Sequence, residues 1–222
     1  MIAQSIRALR RLPSRAEFLA DDIVHIIGLT AGISGAVVAI VMAAFTGRPL
    51  EIVSVSIYGA ALVTMLACSA LYNMRRTSRR RDLLGRLDHA GIFLMIAGSY
   101  TPFALVALGG AWGWSLVGVV WAGALGGAVL KLFQPRWFEP FALPLYLGLG
   151  WLILVAIGPM AAAVGAGTLT LIAIGGALYT IGVVFHLWER LPFQQAVWHV
   201  FVLAAAAVHY AALMAGVLLA PA

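Results

Sequence analysis

The sequence predicts an all-α integral membrane protein, a bundle of seven transmembrane helices with its N-terminus in the cytoplasm and its C-terminus outside. The first observation behind this is composition, because 63% of the 222 residues are hydrophobic and only 10% are charged. A soluble domain of this size carries far more charge. The second is the distribution of basic residues, since thirteen of the fourteen lysines and arginines fall on one side of the predicted membrane.

Seven apolar stretches supply the helices, and each has the roughly 17–25 residues that a helix needs to cross about 30 Å of hydrocarbon. They are residues 23–45, 52–72, 89–110, 114–130, 141–163, 167–186 and 196–219. Because the loops between them are short, we expect residues 23–219 to form one membrane domain. Residues 1–22 are a basic segment whose mixture of Ile, Leu, Phe and Arg is typical of a helix lying in the inner membrane interface.

The basic residues predict the orientation of the bundle. Those on the shared side precede the first span or follow the second, fourth and sixth: Arg7, Arg10, Arg11, Arg15, Arg75, Arg76, Arg79, Arg80, Arg81, Arg86, Lys131, Arg136 and Arg190. Only Arg48 lies opposite, and the positive-inside bias therefore places the shared side in the cytoplasm. The net charge of +6 comes from these loops, so we expect the Arg75–Arg86 loop to contact anionic lipid headgroups and expect no nucleic-acid partner.

Polar side chains near the spans gather at the predicted cytoplasmic ends. They are Asp21, Asp22, His25, Ser69, Asn73, Asp88, His89, His186, Gln195 and His199. Because polar groups within the membrane are costly, their convergence from several helices indicates a site. The alternative is that helix ends are polar because water reaches them. His209 lies ten residues beyond His199, near the midplane, where it either hydrogen-bonds to a neighbouring helix or faces a cavity.

The spacing of these residues suggests a site shared between helices. Ser69 and Asn73 are four residues apart, as are Gln195 and His199, so each pair projects from one helix face. Together with Asp88 of the third span, the pairs have the arrangement of a metal site inside a helix bundle. Zinc sites use His, Cys, Asp and Glu, and amides are poor ligands. The set is therefore short of metal donors.

Several motifs carry a resemblance to a known family. Residues 88–93 (DHAGIF) and 96–103 (IAGSYTPF) closely resemble the third-span signature of the hemolysin III family, which belongs with the progestin and adipoQ receptors, including the adiponectin receptors. The motifs of the second, sixth and seventh spans are also similar: residues 69–73 (SALYN), 176–182 (GALYTIG) and 195–202 (QAVWHVFV) with His209. In the N-terminal region, Glu17, Asp21, His25 and Gly28 resemble the family's Glu…Asn…His-x-x-Gly, with Asp in place of Asn. The likeness covers residues 14–215.

The resemblance implies a zinc ion near the cytoplasmic ends of the spans, held by three histidines whose positions here are Asn73, Gln195 and His199. It implies that Asp88 and Ser69 are catalytic. It also implies a polar cavity, which in this sequence would be lined by His25, His209, Asn73 and Gln195. Because the wider superfamily includes alkaline ceramidases, the implied chemistry is hydrolysis of lipid amides. Zinc would polarise the amide carbonyl, and Asp88 would accept a proton and pass it to the leaving amine.

The sequence departs from the family pattern at the metal ligands. Of the three ligand positions only His199 holds a histidine, because positions 73 and 195 hold amides. We therefore expect zinc to bind weakly or not at all. Other histidines are alternative donors, although nothing in the spacing requires them: His25, His89 and His186. The retained Ser69, Asp88, His199 and His209 indicate that the cavity persists.

Three functions are consistent with these residues. The first is a lipid-binding or lipid-sensing membrane protein with a degenerate zinc site. The alternative is a zinc-dependent lipid amide hydrolase of the ceramidase type, and a second alternative is a pore or transporter. The first two differ in whether a third metal donor reaches His199. The multi-pass topology predicts a cell-membrane protein, and an Ala- and Gly-rich sequence with thirteen arginines and one lysine suggests a bacterial inner membrane.

Overall fold

The computed structural model describes residues 13–220, which contain seven helices long and apolar enough to cross a membrane. They are α1 (Arg15–Thr46), α2 (Pro49–Met74), α3 (Arg81–Leu108), α4 (Gly110–Phe133), α5 (Pro135–Ala163), α6 (Ala166–Leu187) and α7 (Gln194–Leu218). The described residues contain no strand. The predicted all-α, multi-pass fold with seven spans is therefore confirmed, and the orientation of its termini stays a prediction.

Helices α1 and α3 show the largest difference between their observed starts and the predicted apolar stretches. Helix α1 begins at Arg15 rather than at residue 23, and α3 begins at Arg81 rather than at residue 89. Hydropathy detects only the part of a helix that lies in hydrocarbon, whereas the helical backbone continues into the polar interface. The start of α1 is fixed by a capping box, in which the Ser14 hydroxyl accepts the Glu17 N–H at 3.2 Å and the Glu17 carboxylate accepts the Ser14 N–H at 2.6 Å. Asp21 and Asp88 consequently lie about two turns inside their helices.

Helices α3 and α5 are locally irregular where they meet. Helix α3 ends in a π-helical turn, Phe103–Leu108, and α5 is interrupted by a 3-10 turn, Leu152–Ala156. The Tyr100 hydroxyl donates to the Gly150 carbonyl at 2.8 Å and accepts the Ile153 N–H at 2.8 Å. Backbone groups released by a helix break must find partners within a membrane protein. Tyr100 supplies them and joins α3 to the break in α5.

Close helix packing brings α1, α2 and α7 together. Helix α1 packs against α2 and α7, and α6 packs against α7. A Cβ atom at Gly32 would lie 2.3 Å from Leu66 Cδ1, so glycine leaves room for the Leu66 side chain between α1 and α2. A Cβ atom at Gly175 would lie 2.1 Å from His209 Cδ2, so α6 accommodates the imidazole of α7 in the same way.

The loop between α2 and α3 is tied to α1 by Arg76. Its guanidinium pairs with both carboxylate oxygens of Asp22, at 2.5 and 3.1 Å, and lies 4.4 Å from the centre of the Phe18 ring. These contacts hold the first turns of α1 in place. Of the segment predicted to lie in the interface, residues 1–12 fall outside the described residues, and 15–22 form the beginning of α1.

We predict that reporter fusions will place residue 80 in the cytoplasm and the C-terminus outside. The physical reason is the thirteen-to-one distribution of basic residues across the membrane. A fluorescent-protein fusion at each position should fluoresce only at residue 80, and an alkaline phosphatase fusion should be active only at the C-terminus. Finding both positions on one side would contradict the orientation.

Candidate functional site

A buried polar stripe on α1 forms one wall of the candidate site. Glu17, Asp21 and His25 follow one another at four-residue intervals, so they lie on one helix face, and all three are buried. The Asp21 carboxylate Oδ1 lies 2.6 Å from His199 Nδ1 on α7. This contact joins the first and last of the seven helices near their N-terminal ends.

His25 links α1 to both α2 and α7. Its Nδ1 lies 2.8 Å from the Asp21 backbone carbonyl, and because a carbonyl can only accept, Nδ1 carries the proton. In the neutral imidazole, Nε2 is then an acceptor, and it lies 3.3 Å from the Ser69 hydroxyl of α2. The His25 and His199 ring centres are 4.3 Å apart. Two imidazoles and one carboxylate therefore meet in one place.

Ser69 of α2 contacts several members of the polar cluster. The Asn73 side-chain amide donates to the Ser69 carbonyl at 3.0 Å and to its hydroxyl at 3.4 Å. Asp88 of α3 lies beside the Ser69 hydroxyl and within electrostatic range of His199 and Asp21. The structure thus brings Ser69, Asp88 and His199 together with two residues of α1.

Asp21, His25 and His199 have the composition and the spacing of a metal site. One potential ligand atom from each lies within 4.8 Å of the others. The side chains of Asp21 and His25 are each 5% exposed, and that of His199 is 11% exposed. Two imidazoles and one carboxylate match a donor set found in catalytic zinc sites. These residues fit a divalent metal. Two of them, Asp21 and His25, lie outside the three ligand positions that the resemblance implies.

The remaining predicted residues lie in different surroundings. Gln195 is exposed in the first turn of α7, one turn before His199. His209 lies further along α7, where its Nε2 donates to the Ile172 carbonyl at 3.2 Å. His209 also lines a cavity of about 350 Å³ between α3, α5, α6 and α7, together with Tyr100 and Trp151. His209 therefore both hydrogen-bonds to a neighbouring helix and faces a cavity. None of Asp21, His25 and His199 lines that cavity.

The sequence interpretation named Asp21 and His25 but did not pair them as metal donors. Their four-residue spacing is the same signal that selected Ser69 with Asn73 and Gln195 with His199. The part played by Arg76 was missed altogether. Its guanidinium lies 4.0 Å from Asp21 Oδ2, and no motif in the sequence indicates that contact.

Comparisons with known proteins agree with this architecture. The family model described as Haemolysin-III related matches residues 20–210. A Hemolysin-3 homolog from Bacillus subtilis (strain 168) is 37% identical over 194 residues, which cover 87% of this chain and 91% of the relative. Hemolysin-3 from Bacillus cereus is also 37% identical over 194 residues, covering 87% and 89%. The human Monocyte to macrophage differentiation factor is 29% identical over 171 residues, covering 73% and 70%.

We predict that Asp21 and His199 are energetically coupled even without a metal. A double-mutant cycle of Asp21→Asn and His199→Gln, measured by unfolding in detergent with a chelator, should give a coupling energy of about 0.5–3 kcal/mol. The physical reason is that either single change leaves a buried polar partner unsatisfied. The control cycle is Asp82→Asn with Arg86→Gln, a pair at 2.7 Å whose aspartate is 88% exposed. It should give about 0.5 kcal/mol or less, and equal values in the two cycles would contradict the prediction.

Proposed function

The chain belongs to the Haemolysin-III related family, and we propose that it is a metal-dependent hydrolase that cleaves amide bonds of membrane lipids near the cytoplasmic face. The observation that carries the proposal is the convergence of Asp21, His25 and His199, whose ligand atoms lie within 4.8 Å of one another. Asp21 and His25 add two metal donors beside His199. The presence of such donors is what distinguishes a hydrolase from a metal-free lipid-binding protein.

Asp21, His25 and His199 are the residues that would hold the metal. Two imidazoles and one carboxylate occur in catalytic zinc sites and also in non-haem iron sites. Zinc is the metal we propose, because the proposed reaction is a hydrolysis and needs no change of oxidation state. Bound there, the metal would supply Lewis acidity that polarises a substrate carbonyl. The Arg76–Asp22 pair supports the arrangement, because it orders the helix turn that carries Asp21.

Asp88 and Ser69 are the residues that would move protons beside these ligands. Asp88 faces the Ser69 hydroxyl near His199, within the polar cluster. A carboxylate in this position can accept a proton from the attacking water and pass it to the leaving amine. The Ser69 hydroxyl lies 3.3 Å from His25 Nε2 and also receives the Asn73 amide. When His25 Nε2 serves as a ligand, the hydroxyl can donate instead to Asp88 or to a substrate carbonyl.

The position of the site favours a lipid substrate. The ligands lie in the cytoplasmic turns of membrane-spanning helices, at the predicted depth of lipid headgroups and their acyl linkages. The arginines of the Arg75–Arg86 loop would add an attraction for anionic headgroups. A lipid amide would thus present its scissile bond at the depth of Asp88 and Ser69.

A lipid-binding or lipid-sensing role without metal is the second candidate. The observation in its favour is that Asn73, which stands at a family ligand position, is engaged with Ser69. Asp21 pairs with His199 within the same network. Protein groups therefore satisfy part of this polar cluster by themselves, as a metal-free binding site would require.

We predict that the purified protein contains close to one equivalent of zinc, and that His199→Ala abolishes it because the variant leaves only two donors. Elemental analysis after matched dialysis measures this. His209→Ala is the control, because His209 lies ten residues beyond His199 on α7, beside a separate cavity, and should leave the zinc content unchanged. Zinc that appears only in Asn73→His/Gln195→His would contradict the proposal and favour the metal-free candidate.

We predict that Asp88→Asn lowers the rate of lipid amide hydrolysis by about 10²–10⁴-fold, because it removes the proton acceptor. The measurement is fatty-acid release from a fluorescent ceramide in detergent micelles, together with zinc content. The zinc content should stay at the wild-type level, because Asp88 is not a ligand. Asp82→Asn changes a carboxylate in the first turn of the same helix and should keep the full rate. Equal rates in the two variants would remove Asp88 from the mechanism.

A further inference from the structure

We propose that Glu17 is a positioning residue that fixes the start of α7 and thereby holds His199 against Asp21 and His25. The inference rests on the proposed metal site. It concerns a contact between the beginnings of two helices, at the loop that joins α6 to α7.

The start of α7 has an unusual backbone. Phe193 is the residue that caps this helix, and its φ of 59° and ψ of 22° lie in the left-handed region. It is the one residue other than glycine with positive φ among residues 13–220. A large aromatic residue adopts this conformation only when its surroundings impose it. No side chain within α7 caps this helix.

Glu17 is the group that holds Phe193 in place. The Phe193 N–H donates to Glu17 Oε1 at 2.7 Å, across 176 residues of sequence. The second carboxylate oxygen, Oε2, accepts the Ser14 N–H in the capping box of α1. Glu17 is 8% exposed, so its carboxylate is fixed within the protein. Its negative charge at the N-terminus of α7 is also favourable to the helix dipole.

The contact of Glu17 with Phe193 acts on the metal ligands through helix geometry. Along α1, Glu17 precedes Asp21 by four residues, and along α7, Phe193 precedes His199 by six. The Phe193 carbonyl accepts the Val197 N–H at 2.9 Å, so the held residue belongs to the first turn of the helix. The pairs Glu17–Phe193 and Asp21–His199 are thus two successive contacts between the same helices. Together they fix both the rotation and the height of α7 relative to α1.

The test is the Co²⁺ affinity and Co²⁺ absorption spectrum of the full-length protein in detergent, after a chelator has removed its zinc and the chelator has been dialysed away. Glu17→Ala should weaken Co²⁺ binding by about 10–100-fold, as loss of a group that orients ligands does. Glu17→Gln should bind more tightly than Glu17→Ala, because its amide oxygen can still accept the Phe193 N–H. The double variant Glu17→Ala/Phe193→Gly should recover most of the affinity, since glycine adopts positive φ without strain.

Ser14→Ala is the matched control. It removes the other half of the capping box but leaves the contact of Glu17 with Phe193, so it should lower the unfolding temperature and leave Co²⁺ affinity unchanged. Wild-type affinity and spectrum in Glu17→Ala would overturn the positioning role alone. Failure of Phe193→Gly to restore binding in folded protein would overturn it as well. A wild type that binds no Co²⁺ would overturn the proposed metal site and this inference with it.

Discussion

The end of the bundle where α1, α2 and α7 meet depends on the buried carboxylate of Asp21. A carboxylate that is 5% exposed must be compensated by nearby donors or charges, since an unpaired buried ion costs several kcal/mol. Its partners come from separate parts of the chain: His199 Nδ1 at 2.6 Å, His25 Nδ1 at 3.7 Å and Arg76 Nη2 at 4.0 Å. The polar groups of α1, α7 and the loop after α2 are therefore drawn to one point.

The number and type of the helices could be predicted because the membrane leaves few alternatives. A chain that crosses hydrocarbon must satisfy its backbone internally, so seven apolar stretches imply seven helices. The helix starts could not be predicted from hydropathy, because the first turns of α1 and α3 are polar and continue the helix outside the apolar stretch. The Ser14–Glu17 capping box was a visible signal for α1, and it marks the start that the structure has.

The candidate site could be predicted as a set of residues but not as a set of contacts. The polar residues at the predicted cytoplasmic ends included Asp21, His25 and His199, and the structure brings these together. Which helix faces meet depends on packing details such as the approach of Leu66 to Gly32, and one sequence does not reveal them. For the same reason Gln195, a family ligand position, is exposed while its i+4 neighbour His199 lies in the cluster.

Two departures from the family pattern, at positions 21 and 73, together change which helices supply the metal donors. Position 73 holds asparagine where the resemblance implies a ligand histidine, and position 21 holds aspartate where it implies asparagine. The first change removes a donor from α2, and the second places a carboxylate on α1 at 2.6 Å from His199. A carboxylate also neutralises part of the charge of a divalent ion, which three neutral imidazoles cannot do. The two changes would therefore shift the donor set from α2 towards α1, and Asn73 would then remain as a hydrogen-bond partner that orients Ser69.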